Sequence, residues 1–274
     1  MAVAAQTVAP EISRRASSDR AFFGVSALLF TASAAVTIAW CASMSAMRAM
    51  PMPGGWRMSM AWMRMPGQTW PGAATSFLAM WVVMMVAMML PSLAPMLWRY
   101  RQAVGRTGER RLGRLTALVG VGYFLVWTVF GMAAFPLGVG LAAIEMRQPA
   151  LARAVPVVVG GVVLISGAFQ FTAWKVHHLT SCREAPGRGR TMPADAGTAW
   201  RHGLRLGLHC SYDCAGLTAI LLVMGVMDLR VMAVVTAAIT LERLAPAGER
   251  VARAIGAGVV GAGLFLLARA AGLG

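Results

Sequence analysis

Two pairs of soft or borderline metal ligands recur in this chain at the same interval. His178 and Cys182 are four residues apart in WKVHHLTSCR, and Cys210 and Cys214 are four apart in HCSYDC. Residues four apart share one face of a helix. In helical segments each pair projects from one side, and the two pairs can meet as a four-ligand site. Three sulfurs and one nitrogen suit Cu(I), or Zn(II), in low coordination. His177, His209 and Asp213 lie alongside as alternative ligands or as acceptors that orient an imidazole through its other nitrogen. All four His and three of the four Cys fall within residues 175–214. Four scattered Cys do not make a secreted disulfide scaffold.

Thioethers form a second group. The chain has 21 Met, 14 of them between Met44 and Met96. Met44, Met47, Met50, Met52, Met58, Met60, Met63 and Met65 put eight sulfurs into one Met-rich loop, 44–71, which also carries Trp56, Trp62 and Trp70. Thioether sulfur favours Cu(I) over hard cations and needs no deprotonation. The Trp residues equally suit a loop lying on a bilayer, and both roles are compatible. Beyond the loop, Met80, Met84 and Met88 follow at four-residue intervals, with Met85 and Met89 beside them. Such a ladder serves either as adaptable packing or as a relay for a soft ion. Pro91 and Pro95 are expected to kink or end that helix near Met96.

These groups must be carried by elements solvated largely by lipid. Of the 274 residues, 58% are hydrophobic and 13% charged, against about 25% charged in a soluble domain. Crossing about 30 Å of hydrocarbon takes about 20 helical residues. Apolar blocks of that order lie near 21–42, 73–98, 115–142, 155–179, 204–226, 228–245 and 251–271. An all-α, polytopic helix bundle of about seven spans follows, or six with one partly inserted helix, 204–226 being the more polar. No ten-residue alternation of the outer-membrane barrel type is present. Residues 1–20 are expected to be a disordered cytoplasmic tail and 21–274 a single transmembrane domain. The run from Ala21 has full-span length and no clear cleavage site after it, unlike a signal peptide. GAGVVGAG, from Gly256, would let the last span pack closely on a neighbour, within the chain or in a homo- or hetero-oligomer.

The net charge of +15 is spread between apolar blocks rather than gathered on one nucleic-acid-binding face. With the N-terminus inside, 18 of the 25 Lys and Arg fall on inner segments, as the positive-inside rule requires. The expected location is a bacterial inner membrane, N-terminus cytoplasmic, C-terminus outside. Lys175 is the one Lys among these cations. Cys214 would then lie about 16 Å deep and Cys182 near the inner surface. For the pairs to meet, the fourth span must start late, tilt, or be followed by a re-entrant turn. Glu242 beside Arg243 has the form of a helix-end ion pair. The chain contains no GxxxxGK[ST], no GxGxxG between strand and helix, and no Ser-His-Asp or paired-carboxylate arrangement, so no enzyme chemistry is indicated.

MWVVMMVAMMLPSLAPM (residues 80–96), FQFTAWK with L and CR following (169–183), and GLHCSYDC with GVMDLRVM and LERLAP resemble the predicted metal-binding integral membrane protein family. That family includes the copper chaperone of a bacterial tyrosinase-type polyphenol oxidase. The similarity runs in order from about residue 44 to 246. It implies a non-enzymatic Cu(I) chaperone serving a copper-dependent oxidase or another acceptor protein. A metal-ion transporter and an accessory subunit of a membrane oxidase remain as alternatives. The chain departs from the family pattern at His178, where Cys is common, and at Asp213–Cys214, where two adjacent Cys are common. Each change keeps a ligand but hardens the set.

Overall fold

The computed structural model describes residues 2–46, 50–65, 67–104, 109–184 and 191–272. Met47 of the Met-rich loop, and Arg48, Arg106, Arg188 and Arg190 of the charge count, lie outside them. The described residues form eight α-helices, a short hairpin and one 3-10 turn. The helices are α1 (Ala2–Ala46), α2 (Trp70–Ala103), α3 (Glu109–Arg147), α4 (Pro149–Phe169), α5 (Ala173–Glu184), α6 (Ala196–Met224), α7 (Leu229–Leu244) and α8 (Gly248–Ala270). Six of them, α1, α2, α3, α4, α6 and α8, are long and apolar enough to cross a membrane. The chain is an all-α polytopic bundle.

Local sequence sets the helix ends. Thr69 caps α2 by accepting from Gly72 N at 3.3 Å. Asp195 caps α6 by accepting from Thr198 N at 2.8 Å, and hydrogen bonding to Thr198 holds its carboxyl below the ordinary Asp value. Asp228 caps α7 through Arg230 N and Val231 N. Between α6 and α7 the chain turns at Gly225, whose φ of 128° suits Gly alone.

Side-chain contacts define two ends of the bundle. At one, Arg101 Nη2 donates to Ser18 Oγ at 2.8 Å, Met192 N to Ala103 O at 2.9 Å, and Arg99 Nη1 to Arg183 O. At the other, Trp56 Nε1 donates to Ala152 O at 2.7 Å, and Cys41 Sγ lies 4.0 Å from Met227 Sδ. Arg183 Nη2 donates to Pro246 O, which returns the α7–α8 turn to the first end. α1, α2, α3, α4 and α6 therefore alternate in direction, and the 16-residue α7 returns the chain so that α8 runs in the same direction as α6.

Several expectations need correction. The short member of the set is α7, with 16 residues, whereas α6 has 29. The block 155–179 is two helices, α4 beginning earlier at Pro149 and breaking after Phe169. α1 runs continuously from Ala2 to Ala46, in keeping with the Ala content of its first part. Pro91 and Pro95 do not end α2, which continues to Ala103. Between the two prolines, Ser92 Oγ donates to Met89 O at 3.0 Å and accepts from Arg243.

The Met-rich loop is folded rather than loose. Met50–Pro51 pairs antiparallel with Arg57–Met58. Met52 and Met58 are buried with Ala142 and Ala152, so two of its thioethers are packing groups.

The small-residue face of α8 packs inside the chain, against α4. A Cβ on Gly263 would stand 2.6 Å from Leu164 N, and one on Gly167 would stand 2.7 Å from Val260 N. Gly258 and Gly261, on the same helix, have open space at their Cβ positions. Gly263→Leu is expected to cost about 1–3 kcal/mol through overpacking, read as a lower thermal midpoint in detergent. Gly258→Leu, with nothing within 4 Å of its Cβ, should leave the midpoint in place. Equal midpoints for the two variants would refute this packing.

Candidate functional site

The break after α4 builds the site. Thr172 Oγ1 donates to Phe169 O at 2.7 Å and accepts from Lys175 N at 3.2 Å. One hydroxyl thus closes α4 and starts α5 on a new line, as a side-chain cap does. Lys175, in the first turn of α5, then points into the bundle and is fully buried.

Three helices meet there. Lys175 Nζ donates to Glu242 Oε2 of α7 at 2.6 Å and to Asp213 O of α6 at 2.9 Å, and it lies 2.9 Å from Asp213 Oδ1. Arg243 donates to Asp213 Oδ2 through Nε at 3.3 Å and Nη2 at 3.2 Å, and through Nη1 to Ser92 Oγ at 3.2 Å. Gln170 Nε2 donates to Glu242 Oε1 at 3.0 Å. All four charged side chains are at most 1% exposed. Two cations and two carboxylates balance, which buried ions require. Glu242 and Arg243 are not each other's partners, as adjacency had implied. Consecutive helical residues point about 100° apart, and each finds its counter-ion on another helix.

The thiols surround the guanidinium. Arg243 Nη2 lies 2.9 Å from Cys210 Sγ and 3.1 Å from Cys214 Sγ. On its other side Cys210 Sγ is 2.8 Å from Tyr123 OH. Cys182 and Cys210 are 0% exposed and Cys214 1%. None of the four Cys is in a disulfide. Among the described residues, no three His, Cys, Asp or Glu side chains are grouped so as to hold a metal ion. The geometry shows why: a guanidinium already takes both α6 sulfurs as acceptors.

His178 is placed differently. Its Nδ1 lies 3.3 Å from His209 Nδ1. Its ring packs edge-on to Trp174 at 4.4 Å and against Tyr212 at 5.4 Å. His178 and His209 are half-buried, and His177 is exposed beside them. Of the residues expected as one set, Cys210 and Cys214 lie on Arg243, His178 lies on His209, and Cys182 is buried in the same core. Asp213 is an ion-pair partner of Lys175 and Arg243.

Met80, Met84 and Met88 lie along α2 and are at most 4% exposed, with Met85 and Met89 at 0%. They belong to the central core that also contains Cys182, Cys210 and Cys214.

Spacing alone overlooked Arg243, Lys175, Tyr123 and Ser92. Lys175 did carry a signal: the single Lys in a chain whose other cations are all Arg sits inside an apolar block. An ionisable group at that depth in a membrane protein is costly and usually functional. Arg243 carried none, being one Arg among many.

Residues 78–266 match the PpoB2 family, described as a copper chaperone. The match runs from α2 into α8 and includes every residue of the buried cluster and the imidazole pair. No curated protein and no solved structure matches the chain.

Proposed function

The chain belongs to the PpoB2 copper chaperone family, and on that premise we propose that it is a membrane-embedded Cu(I) carrier that passes copper to a cuproenzyme. The cargo site is the thiol group of Cys182, Cys210 and Cys214. One observation carries this reading. Two buried sulfurs flank a single cationic donor, with Arg243 Nη2 at 2.9 and 3.1 Å from Cys210 and Cys214, and Cys182 is buried in the same core. A place that accepts one positive charge between two thiols suits Cu(I), a soft ion of the same charge that thiolates select. Zn(II) is the second ion this donor set would take.

Cargo enters by exchange with the guanidinium. Arg243 keeps Asp213 Oδ2 and Ser92 Oγ as partners when Nη2 leaves the sulfurs, so it can yield the position without losing its counter-ion. Each Cys that binds releases its proton, which makes loading easier as pH rises. Met80, Met84 and Met88 provide a soft-sulfur route from the opposite end, where the Met-rich loop lies. The end rich in Arg is assigned to the cytoplasm by the positive-inside rule, in a bacterial inner membrane, where thiols stay reduced. The role is non-catalytic, and the acceptor is a copper-dependent oxidase or a similar enzyme.

The direct test loads detergent-purified protein with Cu(I) under reductant, against a competing Cu(I) chelator, then adds the apo form of a cuproenzyme. The expected result is tightly held copper with sulfur-to-copper charge transfer, and transfer that activates the acceptor. Absence of bound copper would sink the proposal. Net copper flux into sealed liposomes would reassign the chain as a transporter.

A further inference from the structure

We propose that His178 and His209 form a second transition-metal site, separate from the thiols, that serves as the port through which the ion reaches Cys210. The role of port rests on the copper-carrier reading; the existence of the site does not.

Distance is the first argument. The two Nδ1 atoms are 3.3 Å apart. Two nitrogens each about 2.0 Å from one ion, at a tetrahedral angle, are separated by about 3.3 Å. An ion can therefore be seated between the rings without moving either backbone. Imidazole nitrogen suits copper, zinc, nickel and cobalt alike. With Nδ1 of both rings facing inward, a bound ion leaves each proton on Nε2.

Placement is the second. His178 lies on α5 and His209 on α6, so the pair bridges two helices. Trp174 and Tyr212 pack on the His178 ring and fix its orientation, which reduces the entropy lost when a metal binds. Both imidazoles are half-buried, unlike the sealed thiols, and the exposed His177 ring is 5.3 Å from His178. A rotation of His177 or a water completes the coordination.

Succession is the third. His209 directly precedes Cys210 and His178 is one helical turn from Cys182. Each helix thus carries an imidazole at the accessible flank and a thiol at the buried centre. An ion handed inward passes from borderline nitrogen to soft sulfur, the order in which Cu(I) affinity rises.

The test uses Co(II) and Cu(I) as probes on full-length protein in detergent. The triple variant Cys182→Ser, Cys210→Ser, Cys214→Ser is expected to keep one equivalent of Co(II) with ligand-field bands of nitrogen and oxygen ligation and no sulfur charge transfer. Adding His178→Ala and His209→Ala should abolish that equivalent. In the wild-type background the two His substitutions should leave thiol-bound Cu(I) at full stoichiometry but slow its loading at least tenfold. His178→Asn with His209→Asn, which preserves size and polarity, serves as the folding control and should behave alike. A triple Cys variant that binds no Co(II), or that keeps it after loss of both His, overturns the site. A wild type with Co(II) on the imidazoles and no Cu(I) on sulfur overturns the cargo reading and leaves this site standing. Unchanged loading rates in the His variants overturn the port.

Discussion

Replacing Cys210 and Cys214 together by Ser is expected to reduce Cu(I) affinity by about three powers of ten, about 4 kcal/mol, with little change in folding stability. A serine hydroxyl does not ionise near neutral pH and is a hard oxygen ligand, so it offers Cu(I) neither charge nor polarisability. It remains small and still accepts a hydrogen bond, so Arg243 Nη2 keeps two acceptors where it now has sulfurs at 2.9 and 3.1 Å. Affinity and stability therefore separate, which distinguishes loss of a ligand from loss of the fold. Cys182→Ser alone should cost less, because the α6 pair remains. Competition with a Cu(I) chelator gives the affinities, and thermal unfolding in detergent gives the control. Full copper stoichiometry in the double variant would move the cargo away from α6.

The largest effect on stability is expected from Lys175→Met. Lys175 Nζ is shared by Glu242 and Asp213 at 2.6–2.9 Å, and every group involved is at most 1% exposed. Removing that charge leaves two buried carboxylates and one guanidinium, which pairs with Asp213 and not with Glu242. Breaking one side of a buried ion pair typically costs about 3–5 kcal/mol, whereas replacing the whole pair by well-packed apolar groups can be nearly neutral. Lys175→Met combined with Glu242→Gln restores the charge balance and keeps an acceptor for Gln170. It should recover most of the loss, and the double-mutant cycle would show strong coupling. Unfolding midpoints in detergent decide it. Independent, additive effects would mean that the ions are solvated and the cluster is not sealed.

What the amino-acid sequence disclosed, and what it concealed, follows from the information each pattern carries. Apolar runs of span length reveal the helices because a backbone in hydrocarbon must satisfy itself. The runs do not reveal where a helix breaks inside continuous apolar sequence. The Thr172 turn passes unnoticed between Phe169 and Trp174 for that reason, and a 16-residue α7 looks like a full span. At the site, four-residue spacing correctly placed His178 with Cys182 on α5 and Cys210 with Cys214 on α6. Spacing fixes an angle around one axis and says nothing about what a third helix brings. That third contribution is Arg243, adjacent in sequence to Glu242 and separated from it by function.

Unequal helix lengths have a consequence for the surrounding lipid. α2 and α3 have 34 and 39 residues, but α7 has 16, about 24 Å against a hydrocarbon layer of about 30 Å. Its outward side chains, Val234 and Leu241 among them, are exposed. Where α7 crosses a bilayer, lipid on that flank must thin to meet the helix ends. Head groups and water are thereby drawn inward to the last turn of α7, in which Arg243 stands one residue before the end. The sealed ionic cluster then stands close to the interface on one side only, and the bilayer itself supplies the shortened path that a pore would otherwise have to provide.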